Sequence, residues 1–194
     1  MRALDLPVRT ERLILRAHRT DDLPALMSYY SDPEVTRYLP WAPWTRQDAE
    51  LALAKRISRV AIDTPDSALG LVVDRDDHVI GDVVLWPADD TLLLGELGWA
   101  LHPSARGCGY AREAVSALIS LAFGHYGMHR VRACLDPRNV ASAALCRSLG
   151  MKLEGHLRED RRYKDEWVDS LVFGLLSHEC QYTDEITEPI EAGR

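Results

Sequence analysis

The stretch from Leu92 to Leu135 constrains this chain more than any other. Leu92–Leu101 is an apolar run of strand length, His102-Pro103-Ser104-Ala105-Arg106-Gly107-Cys108-Gly109 is a loop, and Ala111, Ala114, Val115, Leu118, Ile119, Ala122 and Phe123 then recur at helical spacing. That helix ends near Gly124–Gly127, and Arg130–Leu135 alternates Val131, Ala133 and Leu135 with Arg132 and Cys134, the period of a strand. A strand that runs through Arg106-Gly107-Cys108-Gly109-Tyr110-Ala111 into a helix offers backbone N–H groups and a positive dipole end to one anion. Gly107 and Gly109 admit phosphate oxygens close to the backbone, Arg106 adds a charge-assisted bond, and a pyrophosphate is the natural guest. The same glycines also serve a plain turn. A dinucleotide fingerprint is excluded, because Arg112 stands where its further glycine belongs and Gly127-Met128-His129-Arg130 where its acidic residue belongs.

The flanking segments predict a mixed α and β domain. Arg12–Arg16 reads as a strand, Leu23, Leu26, Met27 and Tyr30 as a helix, and Val35–Tyr38 as a helical turn. Leu39-Pro40-Trp41-Ala42-Pro43-Trp44 is a loop, since its prolines remove donors. Thr45 and Asp48 form a capping box ahead of a helix whose apolar face runs from Ala49 to Val60. Ala68–Val73 and Val79–Leu85 read as a hairpin turned at Asp74–Asp77. Gly95 and Gly98 predict a bulge or a close backbone approach in the next strand. A last helix spans Ala141–Leu149 with Gly150 as its stop, and Trp167–Leu176 is a closing strand. Residues 9–178 form one domain, and 179–194 read as an acidic tail.

Charge and cysteines exclude several classes. The chain of 194 residues carries a net charge of −7, so it lacks the basic face that nucleic-acid binding requires; the same charge mildly favours a cationic acceptor. No apolar run approaches the roughly 20 residues of a bilayer span, and no signal segment leads the chain. The four cysteines and seven histidines lack metal-ligand spacing. A reduced, cytoplasmic protein without a metal is expected.

Several segments, taken in order, resemble the RimJ/RimL-type branch of the GNAT acetyltransferase superfamily. Trp99-Ala100-Leu101-His102-Pro103 leading into Arg106-Gly107-Cys108-Gly109-Tyr110-Ala111-Arg112-Glu113-Ala114 is similar to its acetyl-CoA-binding motif. Thr10–Arg16, Ser31–Val35, Asp136–Ser142 and Glu154–Glu159 match further segments, so that the likeness covers roughly residues 9 to 178. The resemblance implies a GNAT-like fold: a twisted, mostly antiparallel sheet with flanking helices, splayed between its fourth and fifth strands. Trp99, Ala100 and Leu101 would then offer backbone groups to the pantetheine, Arg106, Gly107, Cys108, Gly109, Tyr110 and Ala111 would hold the pyrophosphate, and Asn139 would bond the pantetheine region. The implied activity is acetyl transfer from acetyl-CoA to a primary amine, either a protein N-terminus or a small molecule. A non-catalytic acyl-CoA-binding sensor or interaction module is the alternative.

The chemistry asks for particular groups. An ammonium has no lone pair, so the acceptor must lose a proton before it attacks. Glu96, on the glycine-bearing strand, is the first candidate base, and Glu159, in the family-like Leu157-Arg158-Glu159 segment, is the second. Some RimL-like relatives place a glutamate slightly further along, where Arg161 stands here, which leaves the base open between these carboxylates and water. Ser142 would donate to the departing thiolate, although Asn139 and Ser142 equally suit helix capping. Cys108 and Cys134 are read as small hydrophobes rather than nucleophiles. Tyr38, Trp41 and Trp44 would wall the acceptor site, and the aromatic loop with the closing strand would support a homodimer.

Overall fold

The structure, a computed structural model, describes residues 4–64 and 66–180. Its centre is the hairpin of β4 (Ala68–Arg75) and β5 (His78–Pro87). Their aliphatic and β-branched runs pair antiparallel around Asp76 and Asp77, both at positive φ (52° and 63°) as a twisted two-residue hairpin turn requires. On one side lie β2 (Ile14–Ala17) and β1 (Val8–Arg9), while the short β3 (Val60–Ala61) also pairs with β4. On the other side lie β6 (Leu94–Leu101), β7 (Arg130–Leu135), β9 (Glu166–Leu176) and, at the edge, β8 (Lys152–Tyr163). Every pairing is antiparallel except β6 with β7.

The β6–β7 connection passes through α4 (Tyr110–Ser120), which continues into a wider helical turn at Leu121–His125. Leu97, Leu85, Leu71, Val131 and Phe173 point to the α4 side of the sheet, where Val115, Leu118 and Ile119 complete the main core. α5 (Val140–Ser148) contributes Ala143 and Cys146 to it and ends at Gly150 with φ 78°. On the opposite face α1 (Leu23–Tyr30) and α3 (Arg46–Ile57) build a second cluster from Leu26, Tyr29, Tyr30, Trp44, Ala49 and Leu53 over Ala100. The short α2 (Pro33–Thr36) starts the loop that carries Trp41 and Trp44. Thr45 caps α3 in a capping box with Asp48, as its sequence predicts.

Three local expectations change. Val60 leaves the helix for β3. The β5–β6 register runs unbroken from Pro87↔Gly95 to Gly81↔Leu101, so there is no bulge there, and the glycines answer the other requirement, close approach. A Cβ on Gly95 would meet Met128 Sδ at 2.6 Å and Leu85 Cδ1 at 2.8 Å, and one on Gly98 would meet the Trp86 ring at 3.0 Å. β8 was not foreseen as a strand, because almost all of its residues are exposed and it has no apolar period. Of the 179–194 tail, residues 181–194 lie outside the described residues.

Candidate active site

β6 and β7 pair only over Leu94↔Arg130, Gly95↔Val131 and Glu96↔Arg132. Beyond that point β7 stays with β9 while β6 stays with β5, and the edge of Leu97–Leu101 is unpaired toward β7. Unpaired strand N–H and C=O groups must find other partners, so this fork is a place for an extended polar ligand. Trp99, Ala100 and Leu101 lie on it. At its end the chain turns into α4 through Arg106-Gly107-Cys108-Gly109, with Gly107 at φ 75° and Gly109 at φ 82°. The first amides of α4, from Tyr110 and Ala111 on, lack intrahelical partners. A Cβ on Gly107 would meet nothing within 4 Å, and Arg106 and Cys108 are exposed, so the loop is open to an anion. Glu113 fixes it from behind: its carboxylate accepts from the Thr10 hydroxyl at 2.6 Å and from Arg12 N at 2.7 Å, and Arg12 Nη1 donates to the Cys108 carbonyl at 3.1 Å.

The fork opens into a cavity of about 540 Å³. One wall is the edge of β6 with Trp99, another is Cys134 and Leu135 at the end of β7 with Asn139 and Ser142 at the start of α5, and Tyr38 and Trp41 line it as well. Glu96 sits in the crotch, 8% exposed, and Arg132 Nε donates to its Oε2 at 2.8 Å. The floor follows from the register: Trp86 lies beside Glu96, Val84 beside Gly98 and Asp82 beside Ala100, all on the face covered by α1 and α3.

Most of the expected site residues come together here, and the exceptions are informative. Asn139 and Ser142 line the cavity, but the Asn139 Oδ1 also accepts from Ser142 N at 3.1 Å, so the side chain caps α5. The Ser142 hydroxyl has no hydrogen-bond partner among the described residues. Trp44 stands behind the wall, stacked on Tyr30 with ring centroids 4.1 Å apart, and is not part of the lining. Glu159 is exposed and outside the cavity. Its φ is 48°, its amide donates to Asp169, and a register shift between Leu157 and Arg161 turns the following residues, so that Arg161 and Tyr163 face inward instead.

Composition and spacing missed the deepest feature, a buried group centred on Asp82. Its carboxylate accepts from the Tyr30 hydroxyl at 2.6 Å and from Arg56 Nε at 3.0 Å, with His18 Nε2 at 3.6 Å. The Arg56 guanidinium lies over the rings of Tyr30 and Trp44. Burial opposes ionisation of Asp82, yet Arg56, His18 and Tyr30 together hold its carboxyl below the usual range. Nothing in a linear pattern links positions 18, 30, 56 and 82. Burial pushes the Cys134 thiol up, with Glu96 adding to it, and the Cys146 thiol is pushed up to about 12 by burial, so both are held as thiols rather than thiolates.

Among the described residues no group of histidines, cysteines and carboxylates has the arrangement of a metal site, and no helix is long and apolar enough to cross a membrane. Residues 12–152 match the family model of the acetyltransferase (GNAT) domain. The chain is 32% identical over 170 residues to the uncharacterized N-acetyltransferase p20 of Bacillus licheniformis, a match covering 88% of this chain and 96% of that protein. The structure of the acetyltransferase (GNAT family) from Bacillus anthracis matches with a TM-score of 0.80 at 24% identity, over 89% of this chain and 99% of that one. RimL, the ribosomal L7/L12 alpha-N-protein acetyltransferase in complex with coenzyme A, matches with a TM-score of 0.76 at 18% identity, over 88% and 96%.

Proposed function

The chain belongs to the GNAT acetyltransferase family, and from that premise we propose that it moves an acetyl group from acetyl-CoA to a primary amine, by direct attack in a ternary complex. One observation carries this reading: β6 parts from β7 after Glu96, its free edge from Leu97 to Trp99 lines the cavity with Tyr38 and Trp41, and the same strand leads on to the open glycine loop at the start of α4. Acetyl-CoA supplies the activated acetyl group as a thioester. The chain's own residues fit its parts: backbone groups of Trp99–Leu101 for the pantetheine, and Arg106 with the amides of Gly107–Ala111 for the pyrophosphate. Asn139 belongs to the same wall through its place at the start of α5.

The remaining roles follow from what the reaction must do. The carbonyl oxygen gains charge as the amine nitrogen bonds to carbon, and an N–H from the free edge of β6 is placed to donate to it. As the carbon–sulfur bond breaks, the Ser142 hydroxyl donates a hydrogen bond to the departing thiolate, which takes its proton from water, while Glu96 later returns the amine's proton to water. Glu96 takes the proton that leaves the nitrogen, directly or through one water. Arg132 occupies Oε2, and Oε1 is the oxygen free for that transfer. Glu159 has no place in this scheme, since it lies outside the cavity.

The test is mass spectrometry of reactions holding acetyl-CoA and a panel of N-terminal peptides, polyamines, aminoglycosides and arylalkylamines. A mass gain of one acetyl group on one class supports the reading. Tight acetyl-CoA binding without any acetylated amine would leave it without support.

A further inference from the structure

We infer that the acceptor is a monoamine with a flat, apolar body, of the arylalkylamine type, in preference to a polyamine. This rests on the acetyl-transfer reading and specifies its substrate. The first ground is where Trp86 sits. Its register partner is Glu96, and the six-membered ring of its indole reaches over Gly98, so close that a Cβ there would touch two ring carbons at 3.0 Å. Gly98 lies where β6 has just parted from β7, so the indole lies over the sheet beside the point at which an acetyl group would be handed over. Trp86, Tyr38 and Trp41 line the same cavity, so an acceptor seated there has aromatic surface beside it. A flat apolar body can stack on it, whereas a chain of ammonium groups gives up hydration for one aromatic face.

The second ground is charge. Polyamines need several free carboxylates, and those lining the interior already have partners: Asp82 has Arg56, Glu96 has Arg132 on its Oε2, Asp136 has Arg138, and Asp169 has His156. Asp66 is exposed on the loop before β4 and offers no carboxylate deep in the cavity. The guanidinium groups of Arg56, Arg59 and Arg161 share the lining and repel a second ammonium. The local balance thus opposes a polycationic acceptor, although the chain's net charge of −7 favours positive charge in general.

The experiment compares phenethylamine, tryptamine, hexylamine and spermidine in two ways: kcat/KM with acetyl-CoA, and equilibrium binding to protein saturated with CoA, which cannot transfer an acetyl group. The aryl amines are expected to exceed hexylamine by about tenfold, the scale of one aromatic contact, and to exceed spermidine by more. Trp86→Leu should reduce the aryl preference to near unity, and Trp86→Phe should restore part of it. Spermidine or hexylamine binding as well as the aryl amines would overturn the inference, as would an aryl preference that survives in Trp86→Leu. Absence of turnover with every amine would count against acetyl transfer. The binding ratios on the CoA-loaded protein would still decide the acceptor class.

Discussion

At the scale of single residues, the proposed roles of Ser142 and Glu96 differ, and so should their variants. Ser142→Ala removes the proposed donor to the leaving sulfur but leaves Asn139, whose Oδ1 bonds the backbone of position 142 and not its hydroxyl. We expect kcat to fall about a hundredfold with little change in the KM for acetyl-CoA, as read by steady-state kinetics. Unchanged kcat would remove Ser142 from the mechanism. Glu96→Gln should lower kcat at neutral pH by a similar factor, but the loss should shrink as pH rises toward the pKa of the acceptor, because the free amine then needs no base. A deficit independent of pH would instead assign Glu96 to holding Arg132 at the fork. That both positions border the cavity was legible in the sequence, one from a helix start and one from a strand. The place of Glu159 was not, because strict alternation along β8 cannot reveal that a bulge between Leu157 and Arg161 changes which side chains face the cavity.

At the scale of elements, two glycines do opposite jobs. Gly107 has left-handed φ and open space, so Gly107→Ala should cost about 1 kcal/mol of stability through backbone strain alone. It should also weaken CoA binding, because the loop proposed to hold the pyrophosphate would relax. Gly81 has ordinary φ, but a Cβ there would fall on the Ala100 carbonyl oxygen, which belongs to the backbone of β6 and cannot swing away. Gly81→Ala should therefore cost about 1–3 kcal/mol as β5 and β6 move apart. Urea unfolding measures both losses, and CoA titration of the two variants separates them. Equal CoA affinity in wild type and Gly107→Ala would show that the loop does not bind the pyrophosphate. These elements were legible because an apolar period runs through β4, β5, β6 and α4. β8 was hidden for the converse physical reason: an edge strand that buries little carries no such period, and its backbone pairing with β9 leaves no trace in composition.

At the scale of the whole molecule, carboxyl groups that anchor separate parts of the fold are all held below their ordinary range. Burial opposes ionisation at Asp22, Asp82 and Glu113, but Arg16 at the first, Arg56 with His18 and Tyr30 at the second, and Thr10 with Arg12 at the third outweigh it. They tie the start of α1 to β2, α3 to the sheet, and α4 to the loop before β2. A group whose folded pKa is depressed contributes stability that is complete above its unfolded pKa and is lost as pH falls through the folded value. In acid the unfolded chain therefore binds more protons, and the urea midpoint should stay level near neutrality and drop steeply below about pH 4. Asp82 should dominate, being buried in the sheet and the only one of the three that faces a guanidinium lying over two aromatic rings. Asp82→Ala leaves Arg56 charged without its partner and should cost about 3 kcal/mol at pH 7. As pH falls from about 4 through the depressed folded pKa of Asp82, the variant and the wild type should converge, since the wild type then loses the same charge. Parallel pH profiles would mean that Asp82 is already uncharged in the native protein. The charge that matters at this site is thus local, and a net value of −7 describes neither the anion that holds α3 nor the guanidinium groups that line the cavity.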